Sequence, residues 1–381
     1  MDCRRQRCSR VRSEWRRRPG ASACASAVDP TRSFPDTTRS FPRVSVADIE
    51  SQGGALLESL CRVGAVILTP AGGECEKAVA ACYSACREFF ALPFDDKAAH
   101  GAASGPGQLH GYMEYLDDAE GSECFEAKLH HDLRFAWPAR PAALRSSIAA
   151  LQRHLLVVAC RALAALAKAL QLDGEVLASL LDVQQPQPSR APAAQVDFET
   201  CSHTALRIWS YTRGRTTGVH VDNSFLTIAP AGSSVGLRVR TLDGALRFPE
   251  EEMAGGELLL FAGDALSYLS AGAVPALMHE VIPPPTRAQL SGQSGGQSGG
   301  QSGGQSGGQQ TGAKQAPPAP RLSAPLFLRG MRGRMLRPPP PLPPLRVRDL
   351  ELNPGNLRER FPWKQQGALA SYYAGGTWTA A

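Results

Sequence analysis

The chain has 381 residues, of which 43% are hydrophobic, so it is long enough to bury a large core. Its net charge of +6 comes entirely from residues 1–18, where eight arginines stand against Asp2 and Glu14. The remainder is formally neutral, which argues against a nucleic-acid partner, and no apolar run approaches the roughly 20 residues that span a bilayer. The ten cysteines are scattered and favour free thiols in a reducing compartment over a disulfide framework.

Residues 1–42 are rich in arginine and serine and poor in acids, and they contain a repeat, Thr31–Pro35 and Thr38–Pro42. Such a composition cannot bury a core, so we expect a disordered tail. It is also typical of an organelle transit peptide. The sequence therefore predicts a cytoplasmic protein, or an organellar one if this tail is a targeting peptide.

Residues 43–195 are predicted to form a mixed, mainly helical N-terminal region. A compact apolar run, Gly64–Leu68, is typical of a strand. Three segments carry apolar residues at helical spacing and are predicted helices: Glu74–Leu92, Pro141–Leu172 and Glu175–Leu181. The first of these ends before Pro93, which cannot continue a helix.

Residues 196–330 form the predicted core. Short β runs separated by glycine and proline turns recur along it: Leu206–Tyr211, Val219–Ile228, Gly236–Arg240, Glu257–Phe261, Ala265–Leu269, Ala276–Ile282 and Leu322–Leu328. This spacing is what an antiparallel jelly roll requires. The predicted fold class is mainly β with flanking helices, around a double-stranded β-helix core.

Two histidines and one carboxylate in this core have the pattern of a metal site. His220 and Asp222 are two apart within a predicted strand, so we expect both side chains on the same face. His279 lies in a later predicted strand. Two imidazoles and one carboxylate, with positions left open, form the facial triad of non-haem Fe(II) oxygenases.

The core is interrupted by a Gly/Ser/Gln-rich insertion, residues 286–316, which has no means of forming a core. After it come Arg321 and Ser323, on one face of the last predicted strand. Residues 331–381 form a basic, proline-rich tail. Its run Arg332–Pro344 is predicted to be an extended polyproline-like segment, within which Pro338–Pro344 could bind an aromatic groove on a partner protein.

Five segments in this order resemble the catalytic core of the 2-oxoglutarate/Fe(II)-dependent dioxygenases, in the isopenicillin-N-synthase-like branch. They are Leu206–Tyr211, the His220–Ile228 segment with its His-x-Asp and Leu-Thr, Gly236–Val239, Gly263–Gly272 with His279, and Arg321–Leu328 with its Arg-x-Ser. More weakly, the resemblance extends back to about residue 44. In the family the Arg-x-Ser strand follows the second histidine after about ten residues, whereas here Arg321 comes 42 positions after His279.

The resemblance implies Fe(II) on His220, Asp222 and His279, with 2-oxoglutarate held by Arg321 and Ser323 and also reached by Tyr211. A guanidinium fork matches a carboxylate bidentately, which suits Arg321 to that role. Arg287 is a rival anchor closer to His279, but no serine and no strand follow it. The implied reaction uses O₂ and converts 2-oxoglutarate to succinate and CO₂, with ascorbate as reductant. Because Asp222 occupies the position that halogenating relatives leave to chloride, hydroxylation or desaturation is favoured.

Three alternatives remain open at this point. The triad could be a core cluster in a degenerate protein, the chain could be a cupin-like metalloprotein without oxygenase activity, or it could act as a binding protein through its proline-rich tail. The resemblance implies a small-molecule substrate that the sequence does not identify. No membrane association is predicted, and a monomer is favoured.

Overall fold

The computed structural model describes the residues 40–101, 111–115, 122–128, 137–181, 203–211, 217–282, 319–339, 342–351, 364 and 372–373. Its strands are β1 (Arg43–Ser45), β2 (Ala65–Thr69), β3 (Gly111–Tyr115), β4 (Ser122–Lys128), β5 (Ala205–Tyr211), β6 (Thr217–His220), β7 (Leu226–Pro230), β8 (Leu237–Arg240), β9 (Leu246–Arg247), β10 (Leu258–Ala262), β11 (Met278–Val281), β12 (Arg321–Ser323), β13 (Leu326–Leu328), β14 (Met335–Leu336) and β15 (Leu345–Arg346). The helices are α1 (Gly53–Arg62), α2 (Glu74–Phe90), α3 (Phe94–Ala98), α4 (Leu144–Ala169), α5 (Gly174–Leu180), α6 (Asp264–Leu269) and α7 (Arg348–Glu351), with one 3₁₀ turn at Pro249–Glu251.

The described strands form a large nine-stranded sheet and a small four-stranded sheet, which line one cavity together, and a separate two-stranded sheet of β14 and β15. The large sheet has the order β1-β2-β10-β7-β13-β5-β4-β3, and β12 also pairs with β5. Its central strands β7, β10 and β13 are buried along their whole length, which explains why they are apolar except for Thr227. The small sheet has the order β6-β11-β8-β9. This arrangement is compatible with a jelly-roll core, and the predicted fold class is confirmed.

Helices α1, α2 and α4 cover the outer face of the large sheet. Helix α4 contacts α1 and α2 on one side and β7 and β13 on the other. One hydrophobic cluster extends from Val44 to Tyr372, so the helices and the sheet share a core. Phe41, inside the range predicted to be a tail, is also buried against β2 and β10.

By length and composition alone, α4 could cross a membrane, which corrects the statement that no apolar segment comes close to doing so. Part of its apolar surface, including Leu151, Leu155 and Leu166, is buried inside the protein, whereas Val157 is exposed. Burial of one face is typical of a helix that packs on a core.

Three predicted strands are wrong in detail. The run predicted as Val219–Ile228 is broken, because β6 ends at His220 and β7 begins at Leu226. The run Ala265–Leu269 is helical and belongs to α6. The last predicted strand is divided at Ala324 and Pro325 into β12 and β13, since proline cannot donate to the ladder.

Two further expectations are corrected. The proline-rich run is not wholly extended and unpaired: Met335–Leu336 pairs with Leu345–Arg346, and the Tyr268 hydroxyl donates to the Pro343 carbonyl. Five described cysteines are free (Cys75, Cys82, Cys86, Cys124 and Cys160), but Cys61 is disulfide-bonded. The Gly/Ser/Gln insertion and Arg287 lie outside the described residues.

Candidate active site

Antiparallel pairing of β6 and β11 sets the two histidines opposite each other. His220, the last residue of β6, is in register with His279 of β11, and their ring centres are 4.3 Å apart. Directly opposed residues in an antiparallel pair have neighbouring side chains on one face of the sheet. The fold therefore brings together two imidazoles that are 59 positions apart in the sequence.

Asp222 lies beyond the end of β6, so its position does not follow from the strand periodicity that the sequence suggested. Its backbone carbonyl accepts a hydrogen bond from the Asp264 N–H at 2.7 Å. Its side-chain Oδ2 accepts one from the Thr227 hydroxyl at 2.6 Å. These contacts turn Oδ1 toward His220 and His279, whose Nε2 atoms lie 3.7 and 3.8 Å from it.

Gly263 allows this close approach. A Cβ atom at this position would lie 2.3 Å from the Ser224 carbonyl oxygen and 2.7 Å from that of Asp222. Both contacts are with backbone, which cannot move away cheaply. The Gly-Asp pair at 263–264 is thus explained by the packing of the α6 N-terminus against the Asp222 turn.

The hydrogen bonds of the two imidazoles leave Nε2 available on each. His220 Nδ1 is 2.7 Å from the Gly218 carbonyl and His279 Nδ1 is 3.1 Å from the Leu277 carbonyl. A ring that donates its Nδ1–H to a carbonyl exposes the lone pair of Nε2, which is the form that binds metals. The three ligand atoms of His220, Asp222 and His279 lie within 4.8 Å of one another.

Electrostatics favour a neutral His279 and an ionised Asp222. Burial, reinforced by the neighbouring His220, lowers the pKa of His279 to about 4, so this imidazole is neutral at pH 7. Burial opposes ionisation of Asp222, but His279, His220 and the Thr227 hydroxyl outweigh it and hold the pKa of the carboxyl below its usual value. Neutral imidazoles and one carboxylate are the donor set that a divalent iron site requires.

Arg321 lies at the other end of the same cavity, on β12. Its side chain is 2% exposed and forms an ion pair with Glu250, with Nη2 and Oε1 2.6 Å apart. Its Nε donates to the Ser234 carbonyl at 2.9 Å. Its Nη1 is buried and has no hydrogen-bond partner among the described residues. An unpaired buried donor is costly, which points to a ligand as its partner.

Glu250 holds this guanidinium in place. One of its carboxylate oxygens accepts from Gly232 N–H at 2.8 Å, and the other from Gly236 N–H at 2.7 Å and Leu237 N–H at 2.9 Å. A Cβ atom at Gly236 would lie 2.5 Å from Arg321 Nε and 2.8 Å from the Ile282 carbonyl oxygen. Glycine is therefore required where the loop before β8 folds over the arginine side chain.

The hydroxyl groups of Ser323 and Tyr211 accompany Arg321 in the cavity wall. Arg321 pairs with Tyr211 across the β12–β5 ladder, and its guanidinium lies 5.3 Å from the centre of the tyrosine ring. The Ser323 hydroxyl is hydrogen-bonded to the Tyr211 hydroxyl, whose pKa burial raises to about 12. Tyr211 is thus a neutral donor at physiological pH.

Both ends open on one cavity of about 960 Å³ between the two sheets. All six site residues predicted from the sequence line this cavity: His220, Asp222, His279, Arg321, Ser323 and Tyr211. The role of Glu250 was not predicted, because a lone glutamate after a proline carries no motif. Thr227 was noted only as part of the Leu-Thr pair.

The C-terminal tail, whose packing the sequence left undecided, also contributes. The Tyr372 hydroxyl accepts a hydrogen bond from the Met278 N–H at 2.8 Å and donates to the Arg240 carbonyl at 3.0 Å, and so bridges β11 and β8 beside His279. Lys364 binds the buried carboxylate of Asp264 at 2.5 Å. Two tail residues thereby brace the backbone segments that carry His279 and Asp222.

Comparison with known proteins places this fold. The chain is similar to the solved structure of a protein assigned to the 2OG-Fe(II) oxygenase family from Caulobacter crescentus, with a TM-score of 0.60 and 18% identity over 84% of this chain and 99% of that chain. It is similar to the dioxygenase for auxin oxidation (DAO) in rice, with a TM-score of 0.56 and 16% identity over 88% of this chain and 99% of that chain. It is also similar to JOX2 in complex with 2OG, Fe and JA, with a TM-score of 0.59 and 18% identity over 92% of this chain and 96% of that chain. The chain shares the fold of the 2-oxoglutarate/Fe(II) oxygenases.

The resemblance read from the five sequence segments is thus confirmed at the level of the fold. No protein-family model and no curated protein matches the sequence. At identities of 16–18%, the structural likeness shows the fold alone, and the chemistry of the site depends on the residues of this chain.

Proposed function

We propose that the protein is an Fe(II)- and 2-oxoglutarate-dependent dioxygenase that hydroxylates or desaturates a small organic substrate. In the hydroxylation, one oxygen atom of O₂ enters the substrate and the other enters succinate, while 2-oxoglutarate loses CO₂. One observation carries the proposal. His220, Asp222, His279 and Arg321 line the same cavity, and Arg321 Nη1 is buried with no hydrogen-bond partner among the described residues.

The triad residues fit iron. His220 and His279 present Nε2, and Asp222 presents Oδ1, on one side of a common point. Such a set leaves coordination positions for a 2-oxo acid and for O₂, which is the arrangement of non-haem oxygenases. Bound iron supplies the activation of O₂ that is coupled to decarboxylation of 2-oxoglutarate. The carboxylate of Asp222 fills the position that a halide would need, which favours hydroxylation or desaturation.

The arginine end fits the distal carboxylate of 2-oxoglutarate. Arg321 Nη1 provides a buried cationic donor, and the hydroxyls of Ser323 and Tyr211 lie on the same wall. Hydrogen bonds to charged groups contribute about 1.5–3 kcal/mol each, so this cluster would determine much of the affinity. The ion pair with Glu250 keeps the guanidinium from moving when the ligand leaves.

The cavity volume of about 960 Å³ suits a small molecule beside the cosubstrate. Two similar structures were solved in complex with small molecules, thymine in a Neurospora crassa protein and JA in JOX2. A metalloprotein without oxygenase activity, which the sequence left open, would have no use for the Arg321 cluster. No observation favours binding through the proline-rich tail as a replacement for catalysis.

The proposal is tested by turnover. Purified protein is incubated with Fe(II), 2-oxoglutarate, ascorbate, O₂ and a cell extract, and succinate, CO₂ and new oxidised products are measured. Succinate formation that requires both iron and 2-oxoglutarate supports the proposal. Asp222→Ala should abolish it, whereas the exposed control Asp243→Ala should not. Equal succinate formation in the wild type and in Asp222→Ala would contradict the assignment.

A further inference from the structure

The cavity wall continues beyond Tyr211 and Arg321 into a second charged region. On β5, Arg207, Trp209 and Tyr211 alternate with buried residues that point away, as the two-residue period of a strand dictates. Phe327 and Arg329 lie on the neighbouring chain segment and also face the cavity. Neither Arg207 nor Arg329 is needed to hold iron or 2-oxoglutarate.

The two guanidinium groups gather around aromatic rings. That of Arg207 lies 5.6 Å from the centre of the Trp209 ring and 5.4 Å from that of Phe327, and that of Arg329 lies 4.8 Å from the centre of Phe327. Arginine readily stacks on aromatic faces while its N–H groups remain directed outward. This part of the cavity therefore combines two cations with two flat apolar surfaces.

Glu126 fixes the position of Arg207. Its Oε2 accepts from Arg207 Nε at 2.7 Å and also from Nη2, and the glutamate itself is 1% exposed. Arg207 lines the cavity and Glu126 does not, so the carboxylate lies behind the guanidinium. The arrangement resembles the way Glu250 supports Arg321, since in each case a buried glutamate positions an arginine that faces the cavity.

The carboxylates in the described cavity wall serve other partners. Asp222 belongs to the triad, Glu250 binds Arg321, and Asp264 binds Lys364. Arg207 and Arg329 line the same cavity as His220, Asp222 and His279. One small molecule could therefore reach both the second cationic region and the triad.

We propose that Arg207 and Arg329 bind the carboxylate of the substrate, and that its aromatic or alicyclic body packs on Trp209 and Phe327. The inference rests on the proposed function and adds the substrate class: a small apolar carboxylic acid. A carboxylate matches the planar donor edge of a guanidinium, and a neutral isostere such as an amide would lack the charge that strengthens these hydrogen bonds. The bound acid would extend from the arginines toward the triad, where a C–H bond is oxidised.

Matched acids and amides test the substrate class. Binding of 3-phenylpropionate, 4-phenylbutyrate and cyclohexanecarboxylate to the anaerobic Fe(II)–2-oxoglutarate protein is measured by calorimetry, beside the corresponding amides and phenyl phosphate. We expect at least one acid to bind, with its amide at least tenfold weaker and the phosphate weaker than the acid. Succinate, which has two carboxylates but no apolar body, should not compete with the acid at equal concentration.

Arg329→Gln is the principal variant, because Arg207→Gln would remove both hydrogen bonds that the buried Glu126 accepts from Arg207 and could unfold the protein. We expect Arg329→Gln to weaken acid binding at least tenfold and to leave amide binding unchanged. Arg329→Lys should recover part of the affinity, and the exposed control Arg337→Gln should have no effect.

Three results would overturn the substrate class: equal binding of acid and amide, no binding of any acid, or tighter binding of the phosphate. The visible absorption band of the Fe(II)–2-oxoglutarate protein is recorded in the same samples. Loss of this band alongside intact acid binding would refute the proposed function alone. An intact band with indifference to the carboxylate would refute this subsite alone.

Discussion

The two ends of the cavity are built in different ways. At the metal end, His220 and His279 are oriented by carbonyl groups two residues earlier in the chain, at Gly218 and Leu277. At the arginine end, Arg321 is held by Glu250 and Ser234, which are 71 and 87 positions away in the sequence. Local contacts thus orient the histidines, whereas the arginine depends on a distant carboxylate and on a loop that only glycine allows.

This difference has an energetic consequence. At the metal end the buried Asp222 carboxylate accepts a hydrogen bond from Thr227, and the two imidazoles are held by nearby carbonyl groups. The arginine end buries a full charge, which is tolerable only while its counter-charge is present. We therefore expect changes at the arginine end to affect stability as well as ligand binding, and changes at the histidines to affect mainly metal binding.

The largest effect on stability is expected for Glu250→Ala. It leaves Arg321 buried without a counter-charge and removes the acceptor of three backbone N–H groups, so the free energy of unfolding should fall by about 3–5 kcal/mol. Denaturant unfolding measures this loss, with the exposed neighbour Glu251→Ala as control. Equal stability of the two variants would show that the two ends do not differ in this way.

Arg321 variants sharpen the comparison at the level of ligand binding. Loss of a charge-assisted hydrogen bond of roughly 1.5–3 kcal/mol should raise the 2-oxoglutarate concentration needed for half-maximal turnover about 10- to 150-fold. Arg321→Lys keeps a cation for Glu250 but lacks the planar fork, so it should weaken 2-oxoglutarate binding with less loss of stability than Arg321→Ala. Arg287→Ala should have little effect. A severe defect in Arg287→Ala, with Arg321→Ala unaffected, would show that Arg287, and not Arg321, binds 2-oxoglutarate.

The sequence was informative where function depends on short motifs. His220, Asp222 and His279 could be recognised because a His-x-Asp pair and a later histidine among predicted strands have the pattern of a metal site. Arg321 could be recognised because Ser323 follows it in an Arg-x-Ser motif. The helical identity of Asp264–Leu269 was missed, since the short apolar run Ala265–Leu269 has no period long enough to separate helix from strand. Glu250 and Tyr372 were missed because their roles arise only from tertiary contacts.

Tyr372→Phe should have an intermediate effect on the metal end. It removes the acceptor of the Met278 N–H and the donor to the Arg240 carbonyl, both beside His279. If the lost hydrogen bonds contribute about 1–1.5 kcal/mol to iron binding, iron affinity should fall roughly five- to tenfold, as measured by anaerobic titration. Tyr373→Phe loses only the bond to Ala276 and should change affinity less. The reverse order would mean that the tail does not support His279.

The smallest effect is expected from shortening the insertion between the two ends. Excising Gln293–Gln310 about halves the chain between β11 and β12, and loop-closure entropy changes by only about 0.6 kcal/mol per twofold change in length. Stability should be unchanged or slightly higher, and 2-oxoglutarate turnover should be retained. Loss of turnover in a folded variant would show that the repeats take part in the site.

Anaerobic spectroscopy tests the central claim most directly. One equivalent of Fe(II) is added to the wild type and to His279→Ala, followed by 2-oxoglutarate, and the visible absorption is recorded with iron occupancy. We expect the wild type to bind one iron and to develop a weak charge-transfer band, His279→Ala to show neither, and the control His154→Ala, on α4 and outside the cavity wall, to match the wild type. Full iron occupancy and an unchanged band in His279→Ala would contradict the assignment of this site.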